Sequence, residues 1–230
     1  MTKHIGIVAA SPEGAALFHR QISRHASDLL PPSQHPRVTM HNEPLDAYVQ
    51  AINKDDWHQV GDLLRHSAEM LARCGADFCM TPDNAVQHGV HLAEVGSPIP
   101  WVTMVDIVAE QLVTDERKVV GLIGTRLVTT GSTYQTMLGM RGVQVLVPEA
   151  NEVEQLDRII FGEVVFGRVE ARSVEAVVAI IGRLADRGCD GLILGCSEGR
   201  LLVAENVCPI PVYDTVDLLA RGAVRRAMGA

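Results

Sequence analysis

Aromatic residues are scarce in this sequence, at 4%, with two Trp, three Tyr and four Phe. Surfaces that bind nucleic acid by stacking bases on aromatic platforms are therefore disfavoured. Basic residues are also in the minority. Twenty Lys and Arg stand against 28 Asp and Glu, for a net charge of −8. No basic stripe is present, so a nucleic-acid partner is not expected. The one basic cluster, RGAVRR at 221–226, falls in the last turns of a predicted helix, where cations suit the negative end of the helix dipole. No apolar run approaches the ~18 residues of a membrane span. The apolar run after Lys3 is too short for a secretion signal and reads as a buried strand. CxxC is absent, which argues against zinc ribbons and thioredoxin-type redox sites. The five cysteines (Cys74, Cys79, Cys189, Cys196 and Cys208) are odd in number, as suits a reducing cytoplasm and no membrane partner. GxGxxG and GxxxxGK[ST] are missing, so dinucleotide and phosphate-loop chemistry lacks support. His88 and His91 are three residues apart, but no carboxylate or Cys completes a metal site around them. No metal and no cofactor are expected.

What remains is an ordinary globular composition, 230 residues with 47% apolar and 21% charged residues. That length suits one large domain or two small ones. Near-continuous apolar runs at 4–10, 37–41, 76–81, 119–124, 143–148 and 190–195 predict strands of a parallel sheet covered on both faces. Helix-period stretches alternate with them near 13–28, 56–73, 84–94, 130–139, 151–166, 172–187 and 215–228. Such alternation predicts an α/β fold with right-handed crossovers.

The chain repeats itself. CGADFCMTPDNA (74–85) aligns without gaps on RGCDGLILGCSE (187–198), with Gly75 on Gly188, Asp77 on Asp190 and Asp83 on Cys196. IGIVAA (5–10) resembles VGLIGT (120–125), and SPIPWVTMVDIVA (97–109) resembles CPIPVYDTVDLLA (208–220). The three blocks keep their order and nearly their spacing. Two pseudo-symmetric α/β domains are predicted, 1–113 plus 213–230 and 114–212, each a mainly parallel sheet flanked by helices. A cleft between them would present Asp83 and Cys196 to one another at strand ends, where α/β sheets bind ligands. A helix start after each would favour an anion, including a thiolate.

Several segments carry a resemblance. GLILGCSEGRLLV (191–203) looks like the second signature of the aspartate/glutamate racemase superfamily, ILGCTE followed by apolar residues. GADFCMTPDNAVQH (75–88) stands where that family has a Cys or Thr followed by Asn-Thr and then a His. VGLIGTRLVTTGSTYQTML (120–138), INKDDW (52–57) and PVYDTVDLL (211–219) resemble further segments, so the likeness spans essentially the whole chain. It implies a cofactor-independent amino-acid racemase and a homodimer. Two opposed residues, usually cysteines, remove and return the α-proton on opposite faces of the substrate. That chemistry needs a close, desolvated base and donors around the substrate carboxylate.

On this resemblance Asp83 and Cys196 are the expected catalytic pair. Ser11, Asn84, Ala85, Thr125, Tyr134, Ser197 and Glu198 are expected to bind a small carboxylate or amino-acid substrate. This sequence departs from the family in places. Asp83 replaces the first Cys, Ala85 the Thr, Gln87 the His, Val128 a Thr and Val165 a Lys. Ala9-Ala10-Ser11 replaces a Gly-Gly-Met. A negative Asp83 disfavours a second substrate carboxylate nearby. Two alternatives stay open: one-sided chemistry at Cys196, such as decarboxylation or cis–trans isomerisation, and a binding protein without turnover. Bland readings exist too. Asp83 suits a helix N-cap, Tyr134 a core position, and Ser11-Pro12 an N-cap with Pro at the first helical residue.

Overall fold

The computed structural model describes residues 2–197, 199–203 and 208–229. The chain forms two compact units, residues 1–107 with 216–230, and residues 108–215.

Unit 1 is built on a three-stranded parallel sheet in the order β2-β1-β3, from β1 (Ile5–Ala9), β2 (Val38–Asn42) and β3 (Phe78–Met80). Every residue of β1 is buried, because this central strand is covered on both faces, which is why it reads as an unbroken apolar run. Helix α1 (Pro12–Leu29) follows β1, with Ser11 as N-cap and Pro12 at the first helical position. Between β2 and β3 lie α2 (Leu45–Asn53) and α3 (Trp57–Arg73). On α3, Val60, Gly61, Leu64, Ser67, Ala68 and Leu71 are buried, the spacing of one helical face. Each buried aliphatic residue there contributes roughly 1.5–3 kcal/mol over exposure. After β3 come a 3-10 turn, Asn84–Val86, and α4 (Gln87–Glu94). The boundary with unit 2 falls inside α5 (Met104–Thr114).

Unit 2 carries a four-stranded parallel sheet ordered β5-β4-β6-β7, from β4 (Val119–Gly124), β5 (Gln144–Leu146), β6 (Gly191–Gly195) and β7 (Val212–Asp214). Its helices are α6 (Arg126–Thr130), α7 (Thr133–Gly139), α8 (Ala150–Gly162) and α9 (Ala171–Asp186). Leu156, Ile160, Val177, Ile181, Leu184 and Leu192 form part of its core. The last helix, α10 (Thr215–Met228), returns the chain to unit 1. There the Lys3 N–H donates to the Ala227 carbonyl at 2.8 Å, and His25 Nε2 meets Asp217 Oδ1 at 3.0 Å.

The repeat in the sequence is a repeat in hydrogen bonds. Both sheets share the order β2-β1-β3 or β5-β4-β6. The Cys79 N–H donates to the Pro100 carbonyl at 2.9 Å, and the Leu192 N–H to the Pro211 carbonyl at 2.8 Å. Asp77 Oδ2 accepts the His4 N–H at 2.6 Å, and Asp190 Oδ2 the Lys118 N–H at 2.9 Å. Gly75 and Gly188 follow α3 and α9 with φ of +83° and +95°, a left-handed helix exit that glycine adopts without strain.

Three sequence expectations need correction. Helices α2 and α5 were not predicted: α2 is only nine residues long, and α5 is apolar around most of its surface, so neither shows a clean period. The stretch at 130–139 is not one helix, because Gly131 and Ser132 separate α6 from α7. The stretch at 84–94 starts as a 3-10 turn.

Candidate active site

In unit 1, Ile7 pairs with Met80. The chain leaves these neighbouring strands as Ala10-Ser11 and as Thr81-Pro82-Asp83, so Asp83 comes level with the turn into α1. Its Oδ2 accepts the main-chain N–H of Ala10 at 3.1 Å and of Ser11 at 3.0 Å. Asp83 is 8% exposed. The side chain does not cap its own turn, contrary to the N-cap reading. A three-residue turn offers few orphan donors, whereas the β1–α1 turn has two, one of them buried. Two main-chain donors on one oxygen hold the carboxylate in place.

The surroundings of Asp83 are braced. Gln87, 3% exposed, donates through Nε2 to the carbonyls of Thr81 at 3.2 Å and Asp83 at 3.0 Å. Asn84 is buried and Ala85 half-buried. The Ser11 hydroxyl oxygen accepts the Gly14 N–H at 3.0 Å, so Ser11 caps α1 with its side chain and holds Asp83 with its backbone.

In unit 2, Gly124 pairs with Gly195. A Cβ on Gly124 would lie 2.7 Å from the Gly195 carbonyl oxygen, and one on Gly195 would lie 2.9 Å from Val128 Cγ1. Only glycine fits both places. Thr125 and Cys196 are the next residues out of these adjacent strands, roughly 4.8 Å apart in strand spacing. Thr125 stands at the N-cap of α6 without a side-chain cap bond. Cys196 is half-buried, packs on the unit 2 core and borders a small crevice lined by Ile123, Leu156, Ile160, Leu194 and Leu202. Ser197 is half-buried. Glu198 lies outside the described residues.

The expected α-helix after Cys196 is a correction. Among the described residues only the 3-10 turn Gly199–Leu201 follows, with the Gly199 N–H donating to the Cys196 carbonyl at 3.1 Å. Gly199 sits against Leu194, and glycine is a weak helix former. Beyond the turn, Arg200 Nε donates to Asp214 Oδ2 at 2.7 Å. Asp214 is 5% exposed and ends β7 beside Leu194. The Thr215 hydroxyl donates to the Leu194 carbonyl at 2.9 Å. Tyr134 is 2% exposed. Its hydroxyl bonds to Thr215, and burial pushes its pKa up, which keeps the phenol neutral.

The other cysteines differ. Burial pushes the Cys79, Cys189 and Cys208 thiols up, which disfavours thiolate chemistry there. Cys74 is exposed at the end of α3. Among the described residues no group of three or more His, Cys, Asp or Glu could hold a metal ion, and no helix is long and apolar enough to cross a membrane.

The sequence profile of the family described as Asp/Glu/Hydantoin racemase matches residues 7–223. The chain belongs to that family. It is accordingly an isomerase of the racemase type. Among solved structures, it resembles a candidate Asp/Glu racemase from Yersinia pestis at 26% identity and a TM-score of 0.93, covering 98% of this chain and 99% of that one. It resembles an aspartate racemase homologue from Pyrococcus horikoshii OT3 at 26% identity and a TM-score of 0.89, covering 99% and 100%. A glutamate racemase from Francisella tularensis, crystallised with D-glutamate, shares the fold at 14% identity and a TM-score of 0.68, covering 99% of this chain and 81% of that one.

Within each unit, the expected site residues gather at the carboxyl edge of its sheet: Ser11, Asp83, Asn84 and Ala85 in unit 1, and Thr125, Cys196 and Ser197 in unit 2. Tyr134 lies behind Thr215 in the interior. The sequence reading missed the Ala10 amide as an anchor for Asp83. It also missed the Arg200–Asp214 pair, although an Asp closing the strand PVYD was a usable signal.

Proposed function

We propose that this chain is a cofactor-independent racemase or epimerase of an amino acid or a related small carboxylate. Asp83 and Cys196 form its acid/base pair. One observation supports this reading: the central strand and its neighbour pair in the same register in both sheets, Ile7 on Met80 and Leu122 on Ile193, and that register carried outward matches Asp83 with Cys196. Asp83, ionised and held by two amides, takes the α-proton from one face. The Cys196 thiol returns a proton on the other. In the reverse direction the thiolate removes the proton and the Asp83 carboxyl returns it. Asn84, the Ala85 amide, Thr125, Ser197 and Glu198 supply contacts to the substrate, and donors among them offset the charge that grows on its carboxylate as the proton leaves. Ser11 holds the base, and Tyr134 supports the site through Thr215. A cytoplasmic homodimer belongs to the same reading.

The test is deuterium wash-in. The protein is incubated in D₂O with L- and D-amino acids and the α-proton is followed by NMR. Inversion with exchange from both enantiomers is expected, together with loss of both in Cys196→Ala. Racemisation that survives in Cys196→Ala overturns the assignment. A second reading, one-sided chemistry at Cys196, draws on the engagement of the Asp83 carboxylate by the protein's own backbone. Exchange with retention, or product formed only from a malonate-type acid, selects it.

A further inference from the structure

The repeat runs past the segments that hold Asp83 and Cys196. Carried on without a gap, the register that sets Asp83 on Cys196 sets Gln87 on Arg200, and the last repeated block sets Thr103 on Asp214. Gln87 and Arg200 each stand four residues beyond the strand-end residue, and each reaches out with a nitrogen donor. In unit 1, Gln87 is 3% exposed. Its Nε2 donates to the Thr81 carbonyl at 3.2 Å and the Asp83 carbonyl at 3.0 Å, so one amide ties the turn that carries Asp83 on both sides of Pro82. In unit 2, Arg200 Nε donates to Asp214 Oδ2 at 2.7 Å. Asp214 is 5% exposed and is paired in β7 with Leu194 of β6, two residues before Cys196. The Gly199 N–H donates to the Cys196 carbonyl at 3.1 Å. The segment from Leu194 to Arg200, with Cys196 inside it, is thus fastened to Asp214 at both ends. The donor in each copy matches its acceptor. An amide meets neutral carbonyls, and a guanidinium meets a carboxylate. Cation and carboxylate occur together in one copy, and neither stands at these places in the other.

We propose that Gln87 and Arg200 are matched positioning residues, one in each copy of the repeat. Gln87 fixes the turn that carries Asp83. Arg200, held by Asp214, fixes the turn that carries Cys196. This rests on the reading of Asp83 and Cys196 as the acid/base pair and names what sets the aim of each. A reacting group displaced by about 1 Å loses on the order of 10²-fold in rate. The braces therefore act on the chemical step, while the contacts that bind substrate stay in place.

The test has two arms that need no substrate. In the full chain, alkylation of Cys196 by iodoacetamide is read by peptide mass spectrometry, with the buried Cys79 and Cys189 as reporters of general unfolding. Asp214→Asn and Arg200→Gln are each expected to raise the Cys196 rate about three- to tenfold, as the freed turn exposes the thiol, and to leave Cys79 and Cys189 unreactive. The double variant should match the single ones, because all three break one bond. A pure charge effect would move the two single variants in opposite directions. That result, an unchanged Cys196 rate, effects that multiply in the double variant, or a parallel rise at Cys79 and Cys189 overturns the proposal. Arg200→Gln leaves a buried carboxylate unpaired, which is costly; should it fail to fold, Asp214→Asn decides this arm. In unit 1, hydrogen exchange is followed by NMR at the Ala10 and Ser11 amides, the partners of Asp83. Gln87→Leu is expected to speed both about tenfold while the β1 amides keep their protection. Unchanged exchange at both amides overturns the proposal, and Gln87→Met is the milder replacement should Leu fail to fold. Where wash-in activity is present, Gln87→Leu and Asp214→Asn should lower kcat about ten- to hundredfold and leave KM within about twofold. A raised KM with kcat kept would overturn the positioning role. Absence of wash-in in the native chain would remove the racemase reading and leave alkylation and exchange to decide the bracing alone.

Discussion

Asp83→Ala tests whether the carboxylate anchors the turn between β1 and α1. The Ala10 N–H is buried at the end of β1, and the Asp83 carboxylate is its acceptor at 3.1 Å. Truncation leaves a buried donor without a partner, at a cost of about 1–3 kcal/mol. The Ser11 N–H, bonded at 3.0 Å in a half-buried position, can be rehydrated and adds about 0.5–1.5 kcal/mol. Together these predict destabilisation of about 2–4 kcal/mol. At ~2–4 °C per kcal/mol for a chain of this size, a fall of roughly 4–16 °C in Tm is expected. Asp83→Asn keeps a carbonyl acceptor but loses the charge assistance, and should cost only about 1 kcal/mol. Differential scanning calorimetry of the three proteins at neutral pH measures all of this. A loss below about 0.5 kcal/mol in Asp83→Ala, or equal losses in both variants, would refute the view that Asp83 anchors the β1–α1 turn.

Two further predictions address other parts of the molecule. Gly124→Ala places a Cβ 2.7 Å from the Gly195 carbonyl oxygen and should cost about 1–3 kcal/mol. It should also alter the alkylation rate of Cys196, read by peptide mass spectrometry; unchanged stability and rate would refute the close strand approach. At the surface, the Glu163 carboxylate accepts the Glu170 N–H and the Ser173 hydroxyl, and these bonds hold its pKa below the ordinary value. Its stabilisation is therefore present above the unfolded-state pKa and is lost as pH falls through the lowered folded one. Glu163→Gln should be less stable than the native chain at neutral pH and indistinguishable from it below the folded pKa. A gap that persists in acid would contradict this.

Much of the architecture was readable because parallel strands buried on both faces leave continuous apolar runs, as in β1 and β6. The periods of α3 and α9 were equally plain. The repeat was visible because the same chemistry recurs in both halves: an Asp before β3 and before β6 that binds a main-chain amide, and a glycine at each helix exit. The contacts of Asp83 were not readable. Its partners are backbone amides, which carry no side-chain signature, and the choice between capping its own turn and bracing another is set by register. Thr125 and Cys196 were both singled out, but their adjacency depends on the pairing of Gly124 with Gly195.

Each sheet anchors its own strand ends, through Asp77 and Asp83 in one half and through Asp190 and the glycine pair in the other. A replacement at Asp83 removes hydrogen bonds that lie wholly within unit 1. Each copy of the repeat thus carries its own support for the residue at its strand end, main-chain amides on a carboxylate in one and a close glycine pair in the other.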